Sequence, residues 1–257
     1  MTARVLTFIA SLLAVPGPAG ADSIPPASGV WDDAGPGHAL RPDSRRALLD
    51  SLIRITGIRD LTFLPDGRLQ TTTARGKGGS PTAERILRHA LASDAVYVIE
   101  EHSGSPAVTF GQIEGMDYFH DQTGRRAQVW LVRLDFDDFR EIQASKRVRA
   151  AFDPGFVLLH EFLHAQGHRD DMSPDAMGEC ERILNEARRE LLLPLRATYA
   201  ASRVEEAGTG PDARLRFEER GNHTGLRVQH LFFRTGHWSS RMPRPEALRA
   251  RHVRPRG

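Results

Sequence analysis

Residues 153–171 read DPGFVLLHEFLHAQGHRDD. Asp153-Pro154 is a helix start: a side-chain cap followed by proline in the first turn. The apolar run Phe156 to Leu159 continues in Phe162, Leu163 and Ala165, so the spacing predicts a buried helix over 154–166. Gly167 allows the chain to leave that helix and turn back. Inside it, His160-Glu161-Phe162-Leu163-His164 has the form H-E-x-x-H. Residues i and i+4 share one helical face, so both imidazoles can reach one metal ion. Glu161 stands about 100° around the helix, placed for a water on the metal rather than for the metal itself. Zinc brings the pKa of such a water to about 7, within reach of a carboxylate base. Two histidines and a glutamate on so apolar a helix need partners, because an unpaired buried polar group costs about 2–7 kcal/mol.

The longer stretch His160-Glu161-x-x-His164-x-x-Gly167-x-x-Asp170 resembles the extended motif of the metzincins, in the form with aspartate as third ligand found in snapalysin-like secreted bacterial proteases. That resemblance implies zinc on His160, His164 and Asp170, with Glu161 as base, and a methionine turn for which Met172 and Met177 stand close behind. Residues 179–199, ECERILNEARRELLLPLRATY, resemble the C-terminal block of effector-type bacterial zinc metallopeptidases. There the third ligand is implied to be a glutamate on the next helix, Glu179 or Glu181. His168 is a further ligand type at hand. Asp170 is preferred, because the Gly167 turn can return it to the histidines; Glu179, Glu181 and His168 stand as alternatives. The same block places Arg196 and Tyr199 after a Leu-Pro turn. Tyr199 is a candidate donor to a developing oxyanion; the plainer reading is a surface arginine and a half-buried tyrosine. Asp135, Asp137 and Asp138 either orient a ligand histidine or end a strand in solvent. His223, His230 and His237 recur every seven residues, but the glycines among them argue against a shared helix face.

The rest of the chain bounds the reading. It has 257 residues, 40% hydrophobic and 26% charged, which excludes collagen, a wholly disordered chain and a multi-pass membrane protein. The formal net charge of +2 gives no case for a nucleic-acid partner. One cysteine, Cys180, excludes an intrachain disulfide and reads as core. Residues 1–21, MTARVLTFIASLLAVPGPAGA, have a positive start, a short apolar run and small residues before a cleavage point after Ala21. They predict a signal peptide and a secreted or periplasmic mature chain without a transmembrane span, the run being shorter than the ~20 residues a span requires.

Residues 22–42, rich in Pro, Gly, Asp and Ala, read as a flexible N-terminal arm, 43–240 as the catalytic domain, and 241–257 as an Arg/Pro-rich tail. Within the domain the patterns predict helices over 43–55 and from Ser80-Pro81, and a short hairpin across 61–70. Strands are expected at 95–100, 107–113 and 127–134, a helix from about Ser173 to before Pro194, and a last strand pair at 214–218 and 226–233. The expected fold is α+β and zincin-like: a small mixed sheet packed on the H-E-x-x-H helix and a following C-terminal helix. The expected function is zinc-dependent hydrolysis of peptide bonds in a protein or peptide substrate, which pairs with an edge strand at 107–112 or 127–134. The alternative is a zinc-binding module without turnover, against which the presence of Glu161 counts, since a structural site needs no base.

Overall fold

A computed structural model describes residues 28–32, 37–105, 108–119, 126–169, 177–204, 211–221 and 225–235. The expected signal peptide and the Arg/Pro-rich tail lie outside them.

The main sheet has four strands: β1 (Gly29–Asp32), β4 (Val96–Glu101), β6 (Arg126–Leu134) and β5 (Gly111–Phe119), in the order β1-β4-β6-β5. β1, β4 and β6 run parallel, and β5 is antiparallel to β6, so the sheet is mixed. Two features depart from expectation. Gly29–Asp32, inside the expected arm, is a strand of the sheet, buried along its length and paired with 96–99. The sequence around its four residues is rich in Pro, Gly, Asp and Ala, and tertiary partners organise them: β4 alongside, and Gly67 and Arg68 on the other side. The expected strand at 107–113 begins at Gly111 and runs further, to Phe119. That makes 111–119 the sheet edge, while 126–134 is interior with a partner on either side. The interior strand is therefore not a candidate for substrate pairing.

One face of the sheet carries the core. Tyr97 and Ile99 of β4, with Val132 and Leu134 of β6, join a large apolar cluster with three helices: α1 (Pro42–Thr56), α2 (Pro81–Ala92) and the helix of the H-E-x-x-H motif. The alternate residues Val96, Val98 and Val129, with Trp31, form a separate small cluster on the opposite face. That alternation is the period of two of a pleated strand. α1 buries Leu48, Leu52 and Ile55 and ends at Gly57, whose φ of 72° a side chain rarely adopts. Its N-cap is Arg41 without a side-chain cap, Pro42 taking the first turn. α2 is capped by Ser80, whose Oγ accepts from Ala83 N. The short hairpin of β2 (Thr62–Phe63) and β3 (Leu69–Gln70) forms as expected.

Two short helices follow β6: α3 (Phe136–Glu141) and α4 (Lys146–Ala151), capped by Asp135 and Ser145. The motif helix α5 (Pro154–Ala165) is capped by Asp153 and is almost wholly buried. It packs close to α1: Gly155 N donates to Ser51 Oγ at 3.1 Å, and a Cβ at Gly155 would lie 2.3 Å from that oxygen. From the sheet side Tyr97 meets Phe162 edge-on, with ring centroids 5.0 Å apart. α6 (Glu179–Glu190) follows, tied to the start of α2 by Glu190, which accepts from Thr82 N and Oγ1. Residues 170–176, between α5 and α6, are outside the described set.

A second, antiparallel sheet closes the chain: β9 (Ala213–Gly221) pairs with β10 (Gly225–Phe233), β7 (Leu195–Arg196) and β8 (Ser202–Arg203). The architecture is thus α+β, with a small mixed sheet against the motif helix and α6 beside it. No helix among the described residues is long and apolar enough to cross a membrane.

Candidate metal centre

His160 and His164 are one turn apart on α5, and their Nε2 atoms face each other at 3.1 Å. Each ring is engaged at its other nitrogen. His160 Nδ1 lies 3.2 Å from Glu181 Oε1, and His164 Nδ1 lies 3.2 Å from the carbonyl oxygen of His168. Both neighbours are acceptors: the His164 contact is a hydrogen bond that puts the proton on Nδ1, and the His160 contact is an ion-pair distance that favours the same tautomer, with the Nε2 atoms directed at one point. Two nitrogens bound to a tetrahedral zinc at about 2.0–2.1 Å are about 3.3–3.4 Å apart, so the pair fits such an ion with little movement.

Behind His160 the block 179–199 folds into one buried polar cluster. Glu181, 2% exposed, receives Arg188 Nη1 on Oε2 and Arg196 Nη1 on Oε1, each at 2.7 Å. Burial pushes its carboxyl up, but Arg188 and Arg196 outweigh that, with a smaller part from His160, and hold it well below the usual range. Arg188, 1% exposed, also donates to Ala151 O and Asn185 Oδ1 and lies over the Phe156 ring. Asn185 bonds both backbone groups of Arg196. Arg196 goes on to donate to the carbonyls of Thr198 and Tyr199. Arg196 is therefore buried, not a surface residue. Tyr199 stacks on His160, with ring centroids 6.1 Å apart and planes 13° from parallel.

The alternatives for a third ligand separate. Glu181 is occupied by its arginines and meets His160 at Nδ1, the nitrogen away from His164. Glu179, at the start of α6, pairs instead with His168 Nδ1 at 3.0 Å on the surface. Asp170 lies outside the described residues, as do Met172, His223 and His237. Cys180, fully buried, falls within 4.8 Å of the histidine donors, a proximity the sequence did not reveal. Its Sγ approaches His164 at Nδ1, 3.7 Å away, on the edge of the ring turned from His160.

Glu161 is buried and faces the edge strand. A Cβ on Gly111 would lie 3.4 Å from Glu161 Oε1 and 2.4 Å from Val157 Cγ1, so only glycine lets β5 approach α5 this closely. The residue before it, Phe110, has φ 61°, a conformation uncommon outside glycine. It is held there by Asp138 Oδ2, which accepts from Phe110 N at 2.9 Å, by Asp135 N, which donates to Phe110 O, and by packing against Phe139, Phe152 and Phe233. The aspartates after β6 thus do not orient a histidine. Asp135 caps α3, and Asp138 shapes the entry to the edge strand. Burial raises the Asp138 carboxyl to about 7, partly countered by the Phe110 hydrogen bond and reinforced by Asp135, Glu141 and Asp137.

No family profile, curated protein or solved structure matches this chain. The functional reading therefore rests on the residues themselves.

Proposed function

We propose that the chain is an exported zinc-dependent endopeptidase with a zincin-like arrangement of sheet and helix. The observation that carries this reading is the pair of Nε2 atoms, 3.1 Å apart on one face of a buried helix, each ring with an oxygen 3.2 Å from its Nδ1, beside a buried glutamate. His160 and His164 would hold the ion, with Asp170 as the third protein ligand. When bound, zinc supplies Lewis acidity to the scissile carbonyl and acidifies a water.

The remaining chemistry belongs to side chains and backbone. Glu161 takes the proton of the attacking water and delivers it to the departing amine. β5, at the end of the sheet order and running next to Glu161, receives an extended peptide by edge pairing. Tyr199, stacked on His160, donates its hydroxyl to the oxyanion that forms at the carbonyl. Glu181 fixes the tautomer and orientation of His160. Export through cleavage after Ala21 delivers the enzyme to a secreted or periplasmic location.

The decisive test is Glu161→Gln. It should retain zinc, because the side chain is not a ligand, and lose roughly 10²–10⁴-fold in hydrolysis of a fluorogenic peptide library. Undiminished hydrolysis in that variant, or a wild-type chain that binds zinc and cleaves nothing, would refute the enzymatic reading.

A further inference from the structure

β4 alternates between the two faces of the main sheet. Tyr97 and Ile99 point to the core that contains α5, whereas Val96 and Val98 point to the opposite face. Glu100 continues the second set, and its neighbour in register is Arg133 of β6. Its carboxylate is buried at the edge of that opposite face, remote from the H-E-x-x-H helix by the whole thickness of the sheet.

Two imidazoles converge on it. His102 Nε2 is 3.1 Å from Glu100 Oε2, and His38 Nδ1 is 3.9 Å from the same oxygen. The rings of His38 and His102 meet edge-on, with centroids 5.0 Å apart. The three donor atoms all fall within 4.8 Å of one another. A separation of 3.9 Å is too long for a hydrogen bond. It is close to the spacing of two ligands that share an ion, about 3.3–3.4 Å for bonds of about 2.0–2.1 Å.

The backbone under these side chains is fixed. Glu101 N donates to His38 O at 2.7 Å, and His102 N donates to Leu134 O at 2.8 Å, so both histidines extend the hydrogen-bonded end of the sheet. Arg133 also bonds Glu100, at 3.1 Å, but its guanidinium is shared with Glu114 at 2.8 Å. Arg133 Nε donates to the same Oε2 that the imidazoles approach, and its Nη1 is drawn to Glu114, so the guanidinium charge is divided between two carboxylates. The exposed side of His38 provides an entry path, 49% of its side chain being accessible.

We propose that His38, Glu100 and His102 form a second site for a divalent transition-metal ion, zinc by ligand type, that fastens the segment leading into α1 to the end of β4. Two histidines and one carboxylate are a complete protein ligand set for zinc, with the fourth position left to water. The role is to pin the start of α1 and the terminus of β4 together.

The test has two arms on the purified chain: zinc analysis after loading with zinc and dialysis into metal-free buffer, and titration of chelator-stripped chain with Co²⁺ alone. The H160A/H164A variant isolates the proposed site. It should retain one zinc per chain and give a Co²⁺ visible spectrum, and both should vanish when H38A/H102A is added. His38 is half exposed, so H38A alone leaves the core intact. It should weaken Co²⁺ binding in that background by more than about a hundredfold, beyond the 10–100-fold typical of losing an outer partner. Absence of metal from H160A/H164A, or a Co²⁺ spectrum and affinity indifferent to H38A, overturns the proposal. If wild type holds one zinc that H38A/H102A removes and H160A/H164A does not, this site stands and the metal centre on α5 fails.

Discussion

Glu181 Oε1 lies 3.2 Å from His160 Nδ1, and the same carboxylate is clamped by two arginines, Arg188 and Arg196. The glutamate that resemblance offered as a ligand thus stands behind the histidine, on the side of Nδ1 and away from Nε2. A carboxylate in that position raises the basicity of the imidazole and stops the ring from rotating.

Glu181→Gln should therefore lower zinc affinity by about 10–100-fold without removing the site. It should also destabilise the fold by about 3–5 kcal/mol, because two buried guanidinium groups lose their counter-charge. The pH dependence has a definite sign. The folded-state pKa of Glu181 is depressed, so its stabilisation is complete above the unfolded value of about 4.3 and is lost as pH falls through the lower folded value. Thermal melts from pH 7 down to pH 2 should show a shallower acid loss in Glu181→Gln than in wild type. Parallel curves would remove Glu181 from acid denaturation.

Zinc stoichiometry identifies the third ligand. In the H38A/H102A background, where only the site on α5 is counted, Asp170→Ala should cost the chain its zinc, whereas Glu179→Ala, which breaks only a surface pair with His168, should keep it. Cys180→Ala should also keep it, because the thiol approaches His164 from the Nδ1 edge. Loss of zinc in Cys180→Ala with retention in Asp170→Ala would transfer the third position to the thiolate.

Gly111→Ala places a methyl 2.4 Å from Val157 Cγ1, and Val157 is a β-branched residue with little rotamer freedom on a helix. The edge strand must shift away from α5. Overpacking of this kind costs about 1–3 kcal/mol. Peptide hydrolysis should fall by more than the stability loss explains, since the strand proposed to receive substrate moves relative to Glu161. A variant with full activity and a lowered Tm would show that the strand position is structural only.

Asp138 has the opposite sign to Glu181. Its folded-state carboxyl is raised to about 7 by burial and by neighbouring acids. Its contribution to stability is therefore fully present below the unfolded value of about 3.9 and is lost as pH rises through about 7. Asp138→Asn keeps an oxygen for Phe110 N and removes the charge. It should raise Tm at pH 8 and leave it nearly unchanged at pH 4. Equal shifts at both pH values would mean that the ionisation of Asp138 is not felt by the fold.

The local signals in the chain were strong where one residue type has one use. Asp153-Pro154 opened α5, Gly57 closed α1, Ser80-Pro81 opened α2, and Pro65-Asp66-Gly67 turned the short hairpin, each through backbone geometry that needs no distant partner. The i, i+4 spacing of His160 and His164 is of the same kind, because a helix alone places both on one face. Strand β1 had no such signal, since Gly29–Asp32 is a strand only when β4 lies alongside. The short helices α3 and α4, of six residues each, are too brief for a hydrophobic period to show.

What the sequence determined by itself, then, is what is local: the caps, the turns and the histidine pair with its glutamate on one buried helix. Tertiary structure alone decided which glutamate stands behind His160, that Arg196 is buried, that Gly111 brings the edge strand against Glu161, and that His38 and His102 meet at Glu100. Those relationships join residues as distant as 38 and 102, or 111 and 161, and the hydrophobic pattern does not encode them. A buried ion pair or a backbone contact becomes favourable only after the sheet and helices have packed and excluded water from both partners.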